Sequence, residues 1–125
     1  MVIVNLDLVR AFEQAVTAGD VEAAAGLVTD DIEVGGPRGS ASGLNVFRRW
    51  VASSGISLET VQLFGRGDTA VAVQKASWAA SADVHTVATE FGVRAGRICR
   101  VIRYDDGVDV ALAAAGLGRT DELPL

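Results

Sequence analysis

Few side chains in this chain are equipped to move a proton or grip a ligand, and most lie in its second half. His85 is the single histidine. Imidazole titrates near neutral pH, so His85 is the natural candidate for general acid–base work; the alternative is a surface or satisfied histidine at a strand end. Arg103 carries a guanidinium fork suited to a carboxylate or enolate oxygen, unless an ion pair with Glu33, Glu90 or Asp105 occupies it. Gln74 and Thr89 are able to orient a carbonyl or hydroxyl, or to satisfy backbone groups in an irregular strand. Trp50 and Trp78 offer flat faces for stacking, and as large aromatics they serve equally well as core. Cys99, the only thiol, reads as a small buried apolar residue rather than a nucleophile. One His, one Cys and scattered carboxylates give no metal-ligand spacing, so no metal is expected. Asp30, Asp31 and Glu33 crowd together in sequence, but neighbours at a helix end and on a strand point apart, and they read as solvated charge.

Composition narrows the partners. The chain has 125 residues, half of them apolar and 22% charged, the profile of one globular domain. A lone cysteine forms no internal disulfide, and with no basic leader or long apolar run at the start, a cytoplasmic protein is expected. No stretch reaches the length of a membrane span. The net charge of −5 disfavours nucleic acid. Arg94, Arg97, Arg100 and Arg103 suggest a basic patch, but on a strand alternate members face opposite ways. The loop GGPRGSASG is glycine-rich yet lacks the lysine and following hydroxyl of a phosphate cradle, so no nucleotide cofactor is expected.

The elements that must position these groups follow from periodicity. Asn5 caps a first helix over 6–18, with Leu8, Val9, Phe12, Ala15 and Val16 on one face. Gly19 ends it, and Asp20 caps a second helix running through Leu27 and Val28. A short strand, 32–35, precedes GGPRGSASG, which reads as irregular loop. Ser40 or Ser42 caps a third helix carrying Leu44, Phe47, Trp50 and Val51. From 57 onward the period becomes two, predicting antiparallel strands at 57–64, 69–80, 84–94 and 97–104. A small helix follows at 108–115, and GRTDELPL reads as a loose tail, giving one domain over 1–118 and a tail over 119–125. Helices first and a meander afterwards mean α+β.

Three segments, TAGDVEAAAGLVTDDIEVGGP, GLNVFRRWVASSG and GRICRVIRYDD leading into ALAAAGL, resemble the nuclear-transport-factor-2-like superfamily, which includes SnoaL-like cyclases and ketosteroid isomerases. The resemblance runs from about residue 8 to 117. It implies a cone: three N-terminal helices on a curved, mostly antiparallel sheet. It also implies where isomerase chemistry would sit. The helix tyrosine of isomerases is Phe12 here, the general-base aspartate before the proline is Gly36, and the protonated late-strand aspartic acid falls at Thr89. Losing the base costs on the order of 10²–10⁴ in rate. Losing an oxyanion donor costs on the order of 10²–10³ more. Isomerisation by that route is disfavoured.

The same resemblance, with period two, points His85, Val87, Thr89 and Phe91 into the cone. It also points in Cys99, Val101, Arg103 and Asp105 from the next strand, Gln74, Ala76 and Trp78 from 69–80, and Trp50 from the third helix. The expected function is binding of a small, largely apolar molecule, polyketide- or steroid-like, lined by Phe12, Trp50, Gln74, Trp78, Thr89 and Val101. The first alternative is a cyclase, isomerase or hydratase with His85 as acid–base and Arg103 as oxyanion partner. The second is a non-catalytic interaction dimer with a collapsed cone. On the outer face, Ile98, Ile102, Tyr104, Val71 and Val73 would be exposed in a monomer, so a homodimer through the sheet is expected.

Overall fold

The structure is a computed structural model and describes residues 6–125. The cap expected at Asn5 lies outside the described residues. Helix α1, Leu6–Ala18, buries Val9, Phe12, Glu13 and Val16, one apolar stripe at helical spacing apart from the carboxyl. Gly19, at φ +67°, turns the chain, and the Asp20 side chain accepts from the Ala23 amide at 3.1 Å to cap α2, Val21–Ala25. That helix stops earlier than its sequence suggests. The Leu27 carbonyl accepts from the Ile98 amide at 2.8 Å, so strand pairing takes the groups a further helical turn would need.

Strand β1, Val28–Gly36, turns back through Pro37-Arg38 into β2, Gly39–Ser42. The segment expected to be irregular is therefore a hairpin, registered from Glu33 opposite Ser42 to Gly36 opposite Gly39. It closes tightly because Gly35 has no side chain: a Cβ there would sit 2.7 Å from the Ser40 Cβ and 2.9 Å from the Gly39 carbonyl. With the serines inside β2, Gly43 precedes α3, Leu44–Ser53, and no side chain caps it.

Four long strands follow: β3 Ile56–Arg66, β4 Thr69–Trp78, β5 Val84–Arg94 and β6 Arg97–Tyr104. With β7, Glu122–Leu123, the sheet order is β2-β1-β6-β5-β4-β3-β7, and β1 against β6 is its parallel pair. The short strand β7 pairs Leu123 with Leu63, so the segment that reads as a tail is docked on the sheet. Helix α4, Val108–Ala115, sets Ala111 and Leu112 against Phe64, Val71, Val73 and Ala88 on the outer face. Val71 and Val73 are therefore covered within one chain. The expectation that this set lies bare in a monomer is corrected, and with it the reason first given for a dimer.

A second correction concerns β6. Pairing jumps from Gly92–Arg100 to Val93–Ile98, leaving Cys99 as the extra residue of a bulge. The bulge resets the alternation, so Ile98 joins the inner core with Phe91, Val93 and Val101. Among the described residues no helix is long and apolar enough to cross a membrane.

Candidate functional site

A cavity of about 860 Å³ opens between the inner face of the sheet, α1, α3 and the β1–β2 hairpin. Its apolar wall has a helical part and a strand part. Phe12 comes from α1, Val46 and Trp50 from α3, Ile56 and Leu58 from β3, and Val101 from β6. Phe12 is fully buried at the centre of an aromatic cluster. It meets Phe91 edge-on at 5.4 Å and lies nearly parallel to Trp50 at 6.4 Å. A ring so wedged is a rigid wall rather than a hydrogen-bond donor.

Arg103, Thr89, Asp105 and the hairpin residues Arg38 and Ser40 supply the polar part of the lining. The Arg103 Nε donates to Asp105 Oδ1 at 2.9 Å, and its guanidinium lies over the Trp78 ring at 5.5 Å. These two contacts hold the group in place. Its terminal η nitrogens have no hydrogen-bond partner among the described residues. A Cβ at Gly36 would come 3.8 Å from Nη2, so the position of an isomerase base is bare backbone beside a cation. Arg38, exposed at the hairpin turn, adds a second guanidinium to the rim.

Behind Thr89 lies a buried polar chain. The Thr89 hydroxyl donates to Gln74 Oε1 at 2.6 Å, and Gln74 Nε2 donates to Glu13 Oε2 at 2.8 Å. The Thr60 hydroxyl donates to the same carboxyl oxygen at 2.7 Å. Glu13 is only 4% exposed, and no cation pairs with it among the described residues. Sequence reasoning missed Glu13 as well as Arg38. A signal was present for Glu13: it falls four residues after Val9 and three before Val16, where α1 otherwise turns apolar residues to the core.

Of the residues singled out in the sequence, Phe12, Trp50, Thr89, Val101 and Arg103 come together in the cavity wall. Gln74 stands one layer behind, fully buried, and Trp78 lies beneath the Arg103 guanidinium. His85 does not join them. It is exposed at the start of β5, edge-on to Trp78 at 5.9 Å, and outside the lining. The alternation that points it inward holds, but β5 there has passed beyond the helices that roof the cavity. Cys99 is likewise outside the lining, displaced by the bulge. Glu33 and Glu90, the other partners considered for Arg103, belong to Arg100 on the outer face. There Tyr104 donates to Glu90 Oε1 at 3.1 Å, and burial, followed by the nearby Glu90 charge, raises the phenol above its ordinary range.

A helical roof, a bulged sheet and an inward cavity agree with one comparison that decides the family. The model of the SnoaL-like domain matches residues 9–109. This chain belongs to the SnoaL-like family. Solved structures share the cone. A nuclear-transport-factor-2-like protein of unknown function from Cytophaga hutchinsonii superposes with a TM-score of 0.74 at 17% identity, over 85% of this chain and 93% of that one. A candidate polyketide cyclase from Sinorhizobium meliloti gives 0.71 at 21% identity, over 79% and 94%. A candidate ketosteroid isomerase from Kribbella flavida gives 0.70 at 16% identity, over 82% and 77%. At such identities the likeness is one of fold. Among proteins of curated function, none matches the chain.

Proposed function

We propose that this SnoaL-like domain binds a small, largely apolar molecule whose acidic or carbonyl oxygen is held by Arg103. One observation carries the reading: a guanidinium fixed by Asp105 and Trp78 turns unused η donors toward an otherwise mostly apolar cavity. A few fixed polar groups in an apolar hollow are the usual form of a small-molecule site. Arg38 on the rim adds positive charge, in a protein that is negative overall, and this favours an anionic ligand. The opening also argues against the collapsed-cone alternative. A cyclase, isomerase or hydratase using His85 finds no support in the geometry, because the imidazole stands outside the cavity wall. A second copy would meet the sheet where α4 leaves the outer face open, near Glu33 and Arg100, and a clean monomer in sedimentation at micromolar concentration removes that part.

The test is 2-naphthoate, a flat carboxylate, added to the wild type and to Arg103→Gln. Wild type should melt at higher temperature with the ligand, and the variant should bind about tenfold more weakly, as expected for loss of a charge-assisted hydrogen bond. Equal affinity in the two proteins rejects Arg103 as the anchor. Absence of any binding by naphthoate and by fatty carboxylates rejects the cavity as such a site.

A further inference from the structure

The buried chain that ends at Thr89 has a direction, and that direction selects the ligand. The Gln74 amide turns its nitrogen, which only donates, to Glu13 Oε2 at 2.8 Å, and the Thr60 hydroxyl meets the same oxygen at 2.7 Å. The Gln74 amide is thereby oriented with its carbonyl toward Thr89. Across the 2.6 Å between Gln74 Oε1 and Thr89 Oγ1, only the threonine hydroxyl has a hydrogen to place. Thr89 therefore spends its single hydrogen inside the protein, and what remains for the cavity is the acceptor side of its oxygen. Thr89 is 4% exposed and lines the cavity, so few waters reach that oxygen once a ligand is seated.

We infer that the cavity selects a ligand carrying a hydrogen-bond donor, a phenolic or alcoholic hydroxyl or an N–H, that meets Thr89 Oγ1, and that Glu13 sets this preference through Gln74 without touching the ligand. The inference rests on the proposed cavity site and names its ligand class: an apolar body with an anionic or carbonyl oxygen at Arg103 and a donor at Thr89. A ketone or ether oxygen in place of the donor would oppose one lone pair to another in a dry site. A site built to hydrogen-bond a hydroxyl rejects the analogue that lacks it far more strongly than a greasy pocket rejects a methylene. Glu13 is thus a positioning residue.

Binding of five matched probes to the full-length protein tests this: the 6- and 7-hydroxy isomers of 2-naphthoate, their two methyl ethers, and 2-naphthoate itself. For the isomer that reaches Thr89, the hydroxy acid should bind at least about tenfold more tightly than its ether, in line with discrimination by a buried polar partner. Thr89→Val should bring that ratio to near unity, because it removes the acceptor that only the hydroxy acid can use. In Glu13→Gln the amide at 13 is able to donate to the Gln74 carbonyl, which lets Gln74 turn over and frees the Thr89 hydrogen. The ratio should then fall or invert, an outcome that a purely structural role would not produce. The wild-type comparison needs no variant, and Thr89→Ser should keep the preference, so a misfolded variant does not shelter the idea. If all probes bind through Arg103 with no preference for the hydroxy acid, or if the preference survives Thr89→Val, the donor inference is overturned and the cavity site stands. If no probe binds at all, both fall.

Discussion

Glu13, on α1 against the inner face of the sheet, and Glu90, on the outer face, are two carboxyls 4% and 6% exposed, and they are compensated in different ways. Glu90 faces outward beside α4. Arg100 Nε lies 3.4 Å from it, too poorly aligned for a hydrogen bond, Tyr104 donates to it, and Arg100 reaches on to Glu33 at 3.0 Å. Charge meets charge and the cluster closes on itself. Glu13 faces inward and, among the described residues, has only neutral donors, Thr60 and Gln74. No cation stands beside it among the described residues, and its hydrogen bonding passes through Gln74 to Thr89 at the cavity wall. A buried carboxyl answered by a cation stabilises a surface. One answered by a chain of dipoles gives direction to whatever the chain touches.

Breaking the inner chain should have the largest effect on stability. Gln74→Leu leaves the Glu13 carboxyl with Thr60 alone and takes the acceptor away from Thr89. Two buried groups lose partners, at about 1–3 kcal/mol each, so a loss of about 2–6 kcal/mol is expected in urea unfolding. A loss below about 1 kcal/mol would mean that these groups find other partners, and the contrast with the outer face would disappear. Arg100→Ala should cost less. It strands Glu90 with Tyr104 as its remaining donor, but the arginine side chain is 42% exposed and water already screens it. We expect about 1–3 kcal/mol, below the range for a fully buried pair. The preference of the cavity for a hydroxy acid should be untouched, because Glu90 and Thr89 are adjacent residues on opposite faces. A change in ligand preference in Arg100→Ala would couple the two sides and dissolve the comparison.

The same contrast explains what the sequence reveals. Strands β5 and β6 are legible because Val, Ile and Phe alternate with polar residues on both sides of Ala95-Gly96, and a two-residue turn pins their register. Thr89, Val101 and Arg103 follow from that alternation once the family resemblance sets which face points inward, and they do line the cavity. Cys99 is misplaced for a local reason: one bulged residue moves Ile98 to the inner face, and no composition signal marks a bulge. The β1–β2 hairpin is hidden because Gly39–Ser42 has no apolar face to alternate and stays exposed throughout. His85 shows the limit of periodicity, which gives the side of the sheet and not where the roof ends. Glu13 was visible as a carboxyl in an apolar stripe, but its partners come from β3 and β4, 47 and 61 residues away. A helix pattern reports that a polar group is buried and is silent about what satisfies it.

The smallest effect is also the cleanest reading of the outer cluster, since Tyr104 is the only tyrosine in the chain. Its phenol is raised above the ordinary value of 10.0, first by burial and then by Glu90, which also takes its hydrogen bond. The sign follows from linkage. Below pH about 10 the phenol is protonated in both folded and unfolded chains, and its contribution to stability is fully present. As pH climbs past that value the unfolded chain gives up its proton first, so stability is lost until the folded phenol titrates too. Wild type should therefore lose stability through this window more steeply than Tyr104→Phe, in urea unfolding at a series of alkaline pH values. Phenolate absorbance of the folded wild type should rise later than that of the unfolded chain. Coincident absorbance curves, with parallel stability slopes, would mean that Glu90 exerts no hold on the phenol. Glu13 meets Thr60 and Gln74 on the inner side of the sheet and has no contact with Tyr104 or Glu90 among the described residues, so Glu13→Gln should leave the slope as it is in wild type.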